Sequence, residues 1–113
     1  MSRSLPSYLT SLRLQRGLTQ PELADLLGIG PSLLSKVETL DRRPTARVIL
    51  AAEIVFGVPA RDIFPGAYHV IESAVVQRAR NLRGELKGKS DPTSVTKRQL
   101  VKELTQRAST KGL

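Results

Sequence analysis

Apolar positions between Gln20 and Thr39 fall at helical spacing on both sides of a short glycine-containing segment. They are Leu23, Leu27, Ile29, Leu34 and Val37. Gly28 stands where a residue in the left-handed region ends a helix without steric penalty. Thr19 suits the N-cap of the first helix and Pro21 its first turn, where a missing N–H is harmless. The pattern therefore predicts two short helices joined by a tight turn, which is a helix-turn-helix.

The flanking pattern predicts three more helices in the same domain. A first helix is expected from about Pro6 to Arg16, ahead of the motif. Two others are expected after it, at about Ala46 to Phe56 and Pro59 to Phe64, before Pro65-Gly66 breaks the chain. The fold class is thus predicted to be all-α, with a five-helix domain over residues 1–66.

Residues 67–86 predict a sixth helix appended to this domain. One helical stripe on it carries Ile71, Val75, Leu82 and Leu86. A narrow apolar stripe on an appended helix needs a partner surface. That surface is either the core of its own domain or a second subunit, which makes the segment a candidate dimerisation helix.

Residues 87–113 predict a flexible basic tail with a marginal helix. The run Lys87 to Ser94 has the composition of a linker. Thr96 and Gln99 have the spacing of a capping box, ahead of a helix that reaches about Ala108. Its predicted apolar face is Leu100, Val101, Leu104 and Ala108. Because a helix this short is marginal alone in water, its order is expected to come from DNA, a protein partner or a second subunit.

The segment RGLTQPELADLLGIGPSLLSKVE, residues 16–38, resembles the core of the phage-repressor/Cro-type helix-turn-helix proteins, the Xre family. The small residue, the turn glycine and two later apolar positions of that family match at Ala24, Gly28, Leu34 and Val37. The resemblance extends from about Leu9 to Phe64. It implies a DNA-binding domain in which the second helix of the motif, about Pro31 to Thr39, enters the major groove of double-stranded DNA.

The exposed face of this second helix predicts the residues that contact bases. When a helix is inserted by its N-terminal end, its first turn and the residues one turn later face the bases. Here these residues are Pro31, Ser32, Ser35 and Lys36. Lys36 is the best candidate, because its ammonium can donate to guanine O6 or N7. The two serines suit a base or a phosphate, and Pro31 offers only contact with a thymine methyl group.

Four further residues are expected at the DNA backbone. Gln20 resembles the family glutamine that binds a phosphate at the N-terminus of the first motif helix, where N–H groups and the helix dipole favour an anion. Arg42, Arg43 and Arg47 lie where the loop and helix after the recognition helix approach the backbone in this family. Solvated surface charge is the alternative interpretation of these three arginines.

Arg13 and Glu38 are expected to form a structural ion pair. Arg13 resembles the family position whose arginine pairs with the glutamate at the position of Glu38, largely buried. Because desolvation of both charges limits the net stabilisation, the expected role of the pair is to fix the recognition helix against the first helix. The alternative is that both charges are solvated at the surface.

The charge of the chain favours a polyanionic partner. The 113 residues carry a formal net charge of +8 and have a pI of about 10.6, which suits nucleic acid. Residues 1–66 have a net charge of +2, and residues 67–113 have one of +6. The excess positive charge of residues 67–113, outside the predicted DNA-binding domain, either contacts flanking phosphates or is solvated.

The composition gives little support to other classes of protein. There is no cysteine, the single histidine is His69, and no nucleotide-binding glycine loop occurs, so no enzymatic activity, cofactor or metal is expected. The absence of a signal peptide and of a membrane span predicts a cytoplasmic, nucleoid-associated protein without membrane contact. Two Tyr and two Phe offer few platforms for stacking on RNA bases.

The expected function is that of a dimeric, sequence-specific transcriptional regulator, a repressor that occludes its operator. Its two recognition helices are expected to read the half-sites of a pseudo-palindrome, about 34 Å apart. The alternative is an antitoxin-like interaction protein, which binds a protein partner through its C-terminal tail and regulates its own operon.

Overall fold

The computed structural model describes residues 7–110, and every regular element among them is an α-helix. In chain order the helices are α1 (Leu9–Gln15), α2 (Gln20–Leu27), α3 (Pro31–Glu38), α4 (Ala46–Phe56), α5 (Ala60–Ile63), α6 (Pro65–Leu86) and α7 (Pro92–Thr110). The prediction of an all-α fold is confirmed. The predicted helix start at Pro6 lies outside the described residues. Contacts divide the chain inside α6, so that one unit ends at Tyr68 and a second begins at His69.

The two helices of the central motif begin and end at residues that suit those positions. Thr19 Oγ1 accepts a hydrogen bond from the Glu22 N–H at 3.2 Å, and Glu22 Oε1 accepts one from the Thr19 N–H at 2.9 Å. This capping box satisfies N–H groups that a helix start leaves unpaired. Its bonds, chiefly that from the Thr19 backbone, hold the pKa of Glu22 below its ordinary value. Gly28 ends α2 at φ +74°, a conformation that favours glycine.

The core of the first unit is formed by the apolar faces of α1 to α5. Its buried members are Leu9, Leu23, Ala24, Leu27, Leu34, Val37, Val48, Ala52, Ile63 and Phe64. α2 contacts both α3 and α4, and α4 contacts α5. Since α3 packs on this core through Leu34 and Val37, its opposite face is left to solvent.

α4 carries an apolar strip that the core does not cover. Val48 and Ala52 are its buried residues, whereas Leu50 and Ile54 are exposed by 60% and 81%. The two exposed residues are four positions apart and therefore neighbours on one face of the helix.

A buried ion pair joins α1 to α3. Arg13 Nε donates to Glu38 Oε2 at 2.7 Å, and the two side chains are 12% and 4% exposed. Arg13 Nη1 also donates to the Leu18 carbonyl at 3.0 Å, in the segment that leads into α2. Gln20 Nε2, at the first residue of α2, donates to Glu38 Oε1 at 2.7 Å. The Glu38 carboxylate thus accepts from donors on α1 and α2, and these bonds fix the position of α3.

Only Phe64 separates α5 from α6, so the predicted chain break at Pro65-Gly66 is wrong. Both residues belong to the first turn of the helix, and the Tyr68 N–H donates to the Phe64 carbonyl at 2.9 Å. Proline fits this turn because its missing N–H would have no partner within the helix. None of the described helices, the 22 residues of α6 included, is both long and apolar enough to cross a bilayer.

The predicted apolar stripe of α6 is partly buried and partly exposed. Leu86 is buried in the second unit, as are Val76 and Ala79 on the same helix and Val101 on α7. The other three stripe residues are exposed by 61%, 41% and 39%, and they are Ile71, Val75 and Leu82. An apolar strip on α6 is therefore left uncovered within its own unit. We call these three residues the α6 strip.

The connection between α6 and α7 is shorter than the predicted linker. Gly84 lies inside α6 and Ser94 inside α7, which leaves residues 87–91 as the connection. Asp91 caps α7, because its Oδ2 accepts from the Ser94 N–H at 3.0 Å and its Oδ1 from the Ser94 hydroxyl at 2.8 Å. The hydroxyl bond above all holds the pKa of Asp91 below its ordinary value.

The predicted start of the last helix is therefore wrong, and of its predicted apolar face Leu100 is exposed while Val101, Leu104 and Ala108 are buried or half-buried. Thr96 does not cap the helix, since its hydroxyl donates to the Pro92 carbonyl at 3.0 Å inside α7. Leu100 is 57% exposed, while its neighbour Val101 is 2% exposed. Adjacent residues of a helix point about 100° apart, so both cannot lie at the centre of one buried face.

We predict that Arg13→Ala lowers the free energy of unfolding by about 3–5 kcal/mol, because it leaves the Glu38 carboxylate buried without its cation. Urea denaturation of the full chain measures this change. Arg16→Ala is the matched control, since Arg16 is exposed at the end of the same helix and its loss should change stability by less than about 0.5 kcal/mol. Equal effects of the two substitutions would contradict a structural role for the pair.

Candidate nucleic-acid interface

The solvent-facing side of α3 presents a short polar surface. Pro31, Ser32 and Lys36 are exposed, and Ser35 is half-buried. Ser32 and Lys36 are four residues apart and therefore lie on one line along the helix. We call these four residues the reading face, and they are those predicted from the sequence to contact bases.

Lys36 is the one cation on this face. Its side chain is exposed, and no carboxylate of the described residues forms a salt bridge with it. Its four-carbon stem and three rotatable donors can reach acceptors at some distance from the helix. The ammonium is therefore available to an acceptor on a ligand, such as guanine O6 or N7.

The C-terminal end of α3 is closed by a turn that the sequence did not reveal. Leu40 adopts φ +64°, which a residue with a branched side chain adopts only against steric strain. Thr39 Oγ1 lies 3.1 Å from both the Ser35 carbonyl oxygen and Asp41 Oδ2, and its single proton is donated to one of these acceptors at a time. The Arg42 N–H donates to the Lys36 carbonyl at 3.2 Å. These bonds attach the loop to the end of α3 and hold the Arg42 backbone close to that helix.

Gln20 has a contact that sequence analysis missed. Its Nε2 donates to Glu38 Oε1, so the side chain that is expected at a phosphate also completes the buried ion-pair network. A primary amide has two N–H donors and an acceptor oxygen. One donor is thus engaged inside the protein, and the rest of the amide lies at the N-terminus of α2, half-buried. The side chains of Arg13, Gln20 and Glu38 are therefore brought together around one carboxylate.

The three arginines expected at the DNA backbone are exposed. Arg42 and Arg43 lie in the loop after α3, and Arg47 lies in the first turn of α4. A Cβ placed on Gly28 would lie 3.9 Å from Arg47 Nη2, so this guanidinium stands beside the turn between α2 and α3. None of the three forms a salt bridge with a described carboxylate. Together with Lys36 they give the first unit four exposed cations without a salt bridge to a described carboxylate.

Within residues 7–110, no group of three or more His, Asp or Glu side chains is arranged to hold a metal ion. His69 is exposed on α6, at the start of the second unit.

Comparison with known proteins agrees with the geometry. Residues 9–63 match a family model described as helix-turn-helix. The match runs from the first residue of α1 to the last residue of α5, and so includes the reading face and all four residues expected at the DNA backbone. No curated protein and no solved structure matches the chain significantly. The family resemblance drawn from the sequence is confirmed.

Proposed function

Because this chain belongs to the Xre/Cro-type helix-turn-helix family of DNA-binding transcriptional regulators, we propose that it is a dimeric repressor that occludes its operator. It inserts α3 into the major groove of double-stranded DNA and acts at the nucleoid. The observation that carries this proposal is the reading face, which is polar, solvent-exposed and held in place by the buried Glu38 network. The alternative is an antitoxin-like interaction protein, which binds a protein partner through its C-terminal tail.

The proposal assigns base contacts to Ser32, Ser35 and Lys36, with Pro31 against a thymine methyl group. A helix that enters the groove by its N-terminal end presents its first two turns to the bases. Only one of these side chains is long and charged, so few direct base contacts are available. Sequence-dependent DNA shape and deformability are expected to supply the rest of the discrimination.

The proposal assigns backbone contacts to Gln20, Arg42, Arg43 and Arg47. Phosphate contacts orient a protein on the duplex without carrying sequence information directly. The position of Arg47 beside the Gly28 turn supports its assignment, because that turn precedes the end of α3 that enters the groove. The amide donor of Gln20 that Glu38 does not use is assigned to a phosphate at the N-terminus of α2.

The proposed dimer is supported by the α6 strip. Its three apolar side chains are exposed along one side of the helix, which is typical of a surface that a second copy covers. Two-fold symmetry would place the two copies of α3 on half-sites about 34 Å apart.

The test of this function is footprinting on the DNA upstream of the protein's own coding sequence, with excess nonspecific competitor. We expect a protected pseudo-palindrome that spans two adjacent major grooves on one side of the duplex. Protection of a single half-site would contradict the dimer. Diffuse binding without any protected site would contradict autoregulation through that DNA.

We predict that Lys36→Ala reduces discrimination between the operator and unrelated DNA by about 1–3 kcal/mol, since it removes a donor to a base edge. Fluorescence anisotropy with both duplexes at one salt concentration measures the ratio of the two dissociation constants. An unchanged ratio would show that α3 does not present this face to the bases.

Arg42→Ala provides the contrasting result. Loss of a phosphate contact should weaken binding to the operator and to unrelated DNA alike, and it should reduce the slope of log K against log salt by about one. The same two duplexes, titrated over several salt concentrations, test this expectation. A selective loss of operator binding would show that Arg42 contacts bases and not the DNA backbone.

We predict that Val75→Glu dissociates the dimer, because it places a charge without a partner in the apolar contact. Sedimentation equilibrium of the full chain, free and bound to a half-site duplex, measures the effect. Ile54→Glu is the matched control, since Ile54 is an equally aliphatic exposed residue on a different helix, α4. Dissociation by Ile54→Glu alone would place the dimer contact on α4 instead.

A further inference from the structure

A cavity of about 780 Å³ lies in the second unit, where the chain turns from α6 into α7. Its lining residues are Arg80, Arg83, Gly84, Lys87, Gly88, Lys89, Ser90 and Arg98. Five of these eight residues are cationic and none is acidic. All of them belong to the same unit, so the cavity is complete without any other part of the chain. We call it the basic cavity.

The positive charge of the basic cavity is not neutralised by the protein. No carboxylate of the described residues forms a salt bridge with any of the five cations. Cations gathered at one turn repel one another, and salt screens that repulsion only over about 8–10 Å and beyond. Asp91, the last residue of the connection, is engaged with Ser94 as the cap of α7, and Glu85 of α6 is not among the lining residues. The arrangement therefore favours an anion from outside the protein.

One of the five cations is held in place by the backbone. Arg98 Nη1 donates to the Leu86 carbonyl at 2.8 Å, at the end of α6. The C-terminal end of a helix is the negative pole of its dipole and stabilises a cation there. A guanidinium has further N–H donors, and for these the structure gives no partner among the described residues. Arg98 is thus a fixed donor group in the wall of the cavity.

Gly84 gives the cavity an uncovered stretch of helix backbone. Glycine inside a helix is less favourable than alanine by about 0.5–1 kcal/mol. A Cβ on Gly84 would meet no protein atom within 4 Å, so packing within the described chain does not require glycine at this position. The bare backbone instead leaves room for a ligand to approach the helix closely.

We propose that the basic cavity binds phosphates of the DNA backbone, as a second electrostatic contact outside the reading domain. Arginine and lysine side chains commonly donate hydrogen bonds to the phosphate oxygens of DNA. Four of the five cations, all except Arg98, are exposed. A site for a small anionic metabolite would bury most of its ligand, whereas long exposed cations around an open mouth suit a continuous backbone. The cavity holds five of the ten Lys and Arg residues that give residues 67–113 their net charge of +6.

This inference extends the proposed DNA binding, but it requires neither the dimer nor the reading face. Its test therefore uses a duplex of unrelated sequence, on which base recognition plays no part. The double variant Arg80→Gln/Arg83→Gln removes two charges from the cavity. The control Arg78→Gln/Lys102→Gln also removes two exposed charges from the second unit, one from α6 and one from α7, outside the cavity lining. Circular dichroism melting establishes that both variants are folded.

The measured quantity is the slope of log K against log salt for the full chain. We expect the cavity variant to reduce the slope by about one to two, because each phosphate contact contributes about 0.9. We expect the control variant to change it by well under one. Equal slopes for the two variants would overturn the proposal while leaving the proposed operator binding intact. The effect of Lys36→Ala on operator discrimination does not depend on the slope of the cavity variant. The proposal for the basic cavity and the proposal of operator binding through α3 can therefore fail independently.

A second titration identifies the source of the phosphate. Inorganic tripolyphosphate is titrated into the wild type and the cavity variant by calorimetry. One outcome is that tripolyphosphate binds the wild type one-to-one and does not bind the cavity variant, while the salt slope of DNA binding is the same for both proteins. In that case the cavity binds a free oligophosphate, and the DNA assignment is overturned. If the slope falls as expected and tripolyphosphate binds weakly or only as a competitor of DNA, the assignment to the DNA backbone stands.

Discussion

The first unit depends on one buried carboxylate. Glu38 lies on α3 with a side chain that is 4% exposed, and a charge so far from water is tolerated only when donors surround it. Those donors come from two other helices, through the guanidinium of Arg13 and the amide of Gln20. Arg13 in turn binds the Leu18 carbonyl in the connection between them. Each partner is satisfied only in one arrangement of the three helices, so the network determines the orientation of α3 more than it adds stability.

The apolar core and this network have complementary roles. Leu34 and Val37 attach α3 to the core, but apolar contacts are non-directional and tolerate small shifts and rotations. Hydrogen bonds of 2.7 Å to both oxygens of one carboxylate are directional. Such a constraint suits the proposed role of α3, because a rotation of a few tens of degrees would turn Lys36 away from the base edge proposed as its acceptor.

The sequence predicted the parts of the fold that local chemistry determines. Regular spacing of Leu23, Leu27, Leu34 and Val37 and the caps at Thr19 and Gly28 give α2 and α3 with little ambiguity. Predictions were less accurate where two rules competed. Pro65 predicts a break, although proline is also common in the first turn of a helix. Thr96 predicts a cap, although Asp91, five residues earlier, is the residue that caps α7. Contacts between distant residues, such as Gln20 with Glu38, leave no local pattern, and neither does the positive φ of Leu40. The contacts of the site residues with DNA stay predictions.

The division of α3 into a buried and an exposed side separates two kinds of constraint on its sequence. Substitutions at Leu34, Val37 or Glu38 reduce folding stability before they affect DNA binding, since each disturbs the core or the buried carboxylate. Ser32 and Lys36 make no described side-chain contact within the protein, so exchanges there change stability by only about 0.5 kcal/mol. With the base contacts proposed for these two residues, target preference is therefore free to change while the scaffold stays the same. The same feature makes the two positions natural sites for randomisation in the laboratory selection of new operators.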